Sequence, residues 1–126
     1  MRDPAFVLLA SAGLCVLAGM LWGIRMGITG DHLLASAHAH LNLVGWVTLA
    51  LFGFYYRLTP AACASRLARV HAVVAILGVL VLVPGIALAI QGGPPGMAIA
   101  GALLSLLSMV LFLLSLFRFG FGGSDR

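Results

Sequence analysis

Ser36-Ala-His-Ala-His-Leu-Asn-Leu-Val-Gly-Trp46 places two histidines, one residue apart, in a stretch with no Asp, Glu, Lys or Arg. That stretch runs on both sides, from Asp31 to Arg57. It is long enough to cross a bilayer, for which a helix needs about 20 apolar residues. The same reading applies outward along the chain. Nothing is charged between Asp3 and Arg25, and nothing between Val70 and Phe117. The last stretch has room for two spans, and Gln91-Gly-Gly-Pro-Pro-Gly96 supplies the turn between them.

The sequence therefore predicts an all-α membrane protein. It forms one domain over residues 1–126, with four transmembrane helices at about 5–24, 34–56, 69–90 and 97–117. The composition agrees. Of the 126 residues, 63% are hydrophobic and 8% charged. A water-soluble fold of this size has too much surface to hide that apolar content. Lipid must be its solvent, and helices satisfy the backbone there. Arg2 and the small residues Ala10-Ser11-Ala12 resemble a signal peptide, but the apolar run before them is short, and we read a retained first helix.

The formal net charge of +4 comes from arginine, because the chain contains no lysine. The charge is too scattered for nucleic acid, which is not an expected partner. It reads as topology. Four spans put Arg2, Arg57, Arg66, Arg69, Arg118 and Arg126 on one side and Arg25 alone on the other. The positive-inside rule makes the first side cytoplasmic, with both termini there, as in a bacterial inner membrane protein. His32, His38 and His40 then lie toward the outside, and His71 near the cytoplasmic face, where we expect it at the interface. Trp22 and Tyr55-Tyr56 fall near span ends, as aromatic belts do.

Lesser features carry bland readings. Cys15 and Cys63 lack metal or disulfide spacing and read as small packing residues. Gly19/Gly23, Gly23/Gly27, Ala98/Ala102 and Gly101/Ser105 allow close helix approach. Pro84-Gly85 reads as a packing bend. His32 reads as solvated, beside Asp31.

Residues i and i+2 of an α-helix point about 200° apart. His38 and His40 thus face opposite sides of helix 2, and cannot grip one metal ion together. Polar groups in a span usually face a cavity, a cofactor or another helix. One histidine in a helix interface and the other at headgroup level is the plain alternative. Asn42 lies one turn after His38, on the same face. It either supports a ligand or bonds a neighbouring helix.

The segment AHAHLNLVGWVTLALFGFYYRLTP resembles the tenth helix of the heme–copper oxidase catalytic subunit, in the branch near nitric-oxide reductases. In that family the first His of H-x-H is an axial ligand of the high-spin heme and the second of the low-spin heme. The resemblance covers about a fifth of the chain. It implies that His38 and His40 ligate heme b. Asn42, Trp46 and Arg25 are supporting candidates: Asn42 beside a propionate, Trp46 against a porphyrin edge or, as we prefer, in the core, and Arg25 on a propionate or on Asp31.

The family's catalytic subunit has twelve helices in three arcs of four. This chain is similar to one arc and lacks the copper-site histidines of a complete oxidase. A homotrimer would rebuild the twelve-helix ring, with a bis-histidine heme between His38 of one copy and His40 of the next. The implied function is electron transfer or heme and gas binding, fed by a respiratory electron donor. Two alternatives remain at this point. One is a copper-handling membrane protein using Met20, Met26, His32, His38 and His40. The other is a non-catalytic partner subunit or assembly factor of a respiratory oxidase.

Overall fold

The computed structural model describes residues 3–123. Arg2 and Arg126, two of the arginines that set the expected orientation, lie outside the described residues. Four helices are long and apolar enough to cross a membrane: α1 (Pro4–Thr29), α2 (Ala35–Leu58), α4 (Arg66–Ile90) and α5 (Gly96–Phe119). A short helix, α3 (Pro60–Cys63), links α2 to α4. No strand occurs among the described residues. The chain is a multi-pass membrane protein.

Local chemistry sets the ends. The Asp3 carboxylate accepts the Phe6 N–H at 2.8 Å, and Pro4 opens α1 where no intrahelical N–H is needed. Gly30 closes α1 in the left-handed region (φ 70°), a conformation that side chains resist. Helix α1 therefore runs five residues beyond the expected 24 and carries Arg25 in its last turns. Ser65 caps α4 on the Ala68 N–H at 3.1 Å, so α4 begins three residues earlier than expected. It continues unbroken through Pro84.

The four spans pack as two antiparallel hairpins. Helix α1 lies along α2, and α4 along α5. Glycines set the α4–α5 seam from both sides. A methyl built on Gly101 would run into the Leu82 backbone, and one on Gly85 into the Ala98 backbone. Between the hairpins, the inner helices are α2 and α4. Each buries 33% of its most apolar window, against 22% for α1 and 11% for α5. What remains exposed is apolar, as lipid requires.

The core lies toward the arginine-rich end. Tyr56, Leu8, Leu49 and His71 are fully buried there. This corrects two expectations. His71 is not interfacial: it is 0% exposed. Its Nδ1 is 2.8 Å from Tyr56 Oη and its Nε2 3.2 Å from Ser108 Oγ, so α2 and α5 satisfy an imidazole carried by α4. Tyr55 and Tyr56 are not belt residues either, since both are buried. Phe52 and Phe112 complete the aromatic packing around His71, with ring centroids 4.5 and 6.2 Å away.

Candidate functional site

Helix α2 is not one regular helix. Ala35–His40 is α-helical, Leu41–Thr48 is a π-helix, and Leu49–Leu58 is α-helical again. The wide segment starts directly after the histidine pair. Thr48 Oγ donates to the Leu43 carbonyl at 2.9 Å, five residues back, which satisfies a carbonyl within this wide turn. Such segments occur often at functional sites. Gly45 sits inside it. A methyl there would meet Cys15 Cβ and Sγ at 3.0 Å and Val79 at 3.1 Å. The glycine lets α2 settle between α1 and α4.

His38 faces α1. Its Nε2 lies 2.9 Å from the Gly19 carbonyl oxygen. A carbonyl only accepts, so this nitrogen carries the proton. Gly19 and Gly23 make room for the ring: a methyl on Gly23 would stand 3.1 Å from Nε2, and one on Gly19 would run into Asn42 Oδ1. Trp22 meets the imidazole edge to face, with centroids 5.8 Å apart. Trp22 is thus half-buried against His38 rather than standing free in an aromatic belt.

Asn42 Nδ2 lies 3.3 Å from the same Nε2, while Asn42 Oδ1 is buried with no partner. Two donors would meet at Nε2 in this arrangement. With the amide reversed, Oδ1 would accept there. In the orientation observed, Asn42 Oδ1 is the polar atom without a partner.

His40 is half-buried like His38 but is bonded differently. Among the described residues its side-chain hydrogen bond is local: Nδ1 donates to the Ser36 carbonyl at 2.7 Å. That bond fixes the proton on Nδ1 and leaves the Nε2 lone pair free. A histidine held this way is prepared as a metal or heme ligand.

The other expected site residues are placed as follows. Trp46 is in the π-helical segment and 38% exposed, so the preferred reading of it as a core residue is corrected: the wide turn keeps it on an outer face. Arg25 is exposed and lines a hollow with Trp22, Met26, Thr29, Asp31 and Leu34, one turn beyond Gly19 and Gly23 on α1. Asp31 is engaged in its own turn, accepting the Leu33 N–H at 3.0 Å. His32 is exposed, with Nδ1 bonded to the Gly30 carbonyl at 3.0 Å. Both cysteines are free. Among the described residues, no three His, Cys, Asp or Glu side chains converge as a metal site.

Sequence reasoning missed the His71–Tyr56–Ser108 cluster and the π-helix. The first had a signal: Phe52 and Tyr56 stand one turn apart, opposite a run of small residues, Ala68, Ala72 and Ala75, that flanks His71. The second had none beyond Gly45.

The chain was compared with models of known protein families, with curated proteins and with solved structures, and nothing matches it in any of the three.

Proposed function

We propose that this chain is a membrane heme-binding protein whose H-x-H pair is its ligand set, as the resemblance to heme–copper oxidases implies. The observation that carries the reading is the contrast within the pair. His40 keeps a free Nε2 on a ring anchored through Nδ1, at the outer side of α2. His38 lies on the opposite side, against α1. The opposed placement is what two ligands serving two separate heme faces require.

The residues fit a heme unequally. His40 fits as packed. His38 does not, because its Nε2 proton is committed to Gly19. To ligate iron, its imidazole must give up the Gly19 carbonyl and its proton must move to Nδ1. His38 is half-buried with one ring nitrogen engaged across the α1–α2 interface, which leaves it less fixed than fully buried His71. His71, by contrast, has a partner on each nitrogen. Bound heme b would supply one-electron transfer, or gas binding where an axial position stays open. The ring of three copies, with His38 of one and His40 of the next on one iron, belongs to this proposal. So does a bacterial inner membrane location.

The test is the absorption spectrum of detergent-purified protein, oxidised, dithionite-reduced and then exposed to carbon monoxide. Sharp Soret and α bands that ignore carbon monoxide, lost in both His38→Ala and His40→Ala, support the bis-histidine form. Bands lost only in His40→Ala, with a carbon monoxide shift in the parent protein, support ligation by His40 alone. A colourless protein that takes up no added hemin sinks the proposal.

A further inference from the structure

At the arginine-rich end, two hollows lie side by side and share Asp3, Cys63 and Ala64. The larger, about 510 Å³, runs between α1 and α4. Its walls are apolar, with Val7 on one helix and Ala72 and Val73 on the other, and Arg69 stands at its rim. The smaller, about 270 Å³, carries Arg57. Both arginines are exposed, and neither makes an ion pair among the described residues. Among the described residues that line the hollows, the one carboxylate, Asp3, is already accepting the Phe6 N–H at the N-terminus of α1. Two guanidiniums against one engaged carboxylate leave this rim positive. The apolar hollow beneath it opens to the lipid side: Val73 is 58% exposed.

We propose that this double hollow seats one anionic phospholipid, its phosphate between Arg57 and Arg69 and one acyl chain along Val7, Ala72 and Val73. The argument is charge and shape together. Guanidinium forks match phosphate oxygens. The partial positive charge at the start of α1 adds to the same field. An apolar hollow that adjoins two arginines and opens toward the hydrocarbon suits a lipid, and a free anion has no use for it. Short α3 matters here. Pro60 opens it and the Ser65 cap starts α4, and this short link puts Arg57 and Arg69 on adjoining hollows with shared walls. The seat lies at the opposite end of α2 from the histidines, and it stands or falls independently of heme.

The test is native mass spectrometry of the protein extracted from bilayers of equal parts phosphatidylglycerol and phosphatidylcholine. One phosphatidylglycerol should stay bound, in preference to phosphatidylcholine. Each of Arg57→Gln and Arg69→Gln should lower its retention about fivefold, the weight of one arginine near an anionic surface. Arg57→Lys and Arg69→Lys, which keep the charge, should lose less. Val73→Trp fills the apolar hollow and leaves both arginines in place, and it should expel the lipid. Arg118→Gln, at the same end but outside the hollows, should change nothing. The proposal is overturned if the glutamine variants hold phosphatidylglycerol like the parent, if Arg118→Gln loses as much, or if Val73→Trp retains it. In the last two cases the arginines attract anionic lipid generally, without a seat.

Discussion

Tyr56 Oη lies 2.8 Å from His71 Nδ1, and both residues are wholly buried in a span where no water competes. Ser108 Oγ holds the other ring nitrogen at 3.2 Å. A neutral imidazole donates from one nitrogen and accepts at the other, and each hydroxyl can take either role. The cluster is therefore closed, and it ties α2, α4 and α5 together.

Removing one hydroxyl breaks that closure. Tyr56→Phe and Ser108→Ala should each destabilise the protein by about 1 kcal/mol, the scale of a buried hydrogen bond between membrane helices. Once His71 is replaced by Leu, Tyr56→Phe should cost much less, because its partner has gone. Reversible unfolding in mixed detergent and SDS micelles measures all three. Costs that simply add would show that the three side chains do not act as one network.

Helix contact at the α4–α5 seam gives a sharper contrast. A side chain at Gly101 must displace the Leu82 backbone, which cannot rotate away, whereas Gly27 faces open space. Gly101→Val should cost about 3 kcal/mol or more, at the upper end of overpacking. Gly27→Val should be close to neutral. Thermal aggregation of the detergent-solubilised variants gives the ranking. Equal melting of the two would deny that α4 and α5 meet at Gly101.

How far the sequence could be read depended on which solvent sets the rule. Lipid punishes any charged or unpaired group, so the gaps between Asp3, Arg25, Asp31, Arg57, Val70 and Phe117 marked four spans to within a few residues. Helix ends beyond the apolar core follow caps instead. Thr29-Gly30 and Ser65 extended α1 and α4 past the points that charge alone suggested. The opposed faces of His38 and His40 followed from helical geometry. What each nitrogen bonds did not, because that depends on α1 presenting a bare Gly19 carbonyl. His71 was misplaced for a related reason. Its distance from the span end suggested the interface, while tertiary packing of Phe52, Tyr56 and Phe112 covered it. The π-helix leaves no periodic trace in a segment that is apolar on all sides.

Asn42 should be nearly dispensable for stability. Its Oδ1 is buried without a partner, and that cost offsets its weak 3.3 Å contact with His38. Asn42→Ala is expected to shift unfolding by less than about 1 kcal/mol in either direction. It should also relieve Gly19→Ala, whose new methyl otherwise runs into Asn42 Oδ1. The double variant should be more stable than Gly19→Ala alone, as a double-mutant cycle in SDS unfolding would register. Failure of this rescue would mean that Gly19 is needed for some other contact.

The four histidines should react in a set order with diethyl pyrocarbonate, which attacks an unprotonated imidazole nitrogen that it can reach. His32 is exposed, and His40 keeps its Nε2 free. His38 carries its proton on Nε2, so its reactive nitrogen is Nδ1, on a ring half-buried against α1 and Trp22, and His71 has both nitrogens engaged in a fully buried core. Peptide mapping by mass spectrometry should find His32 and His40 modified first, His38 later, and His71 last. Gly23→Ala puts a methyl 3.1 Å from His38 Nε2 and should loosen the ring from the Gly19 carbonyl. His38 in that variant should then move up the order, while His71 stays protected. If added hemin shields His40 in the parent protein but leaves His38 as slow as before, His40 alone holds the iron. If hemin shields His38 in Gly23→Ala as well, then freeing that ring from α1 is what gives the heme its second ligand.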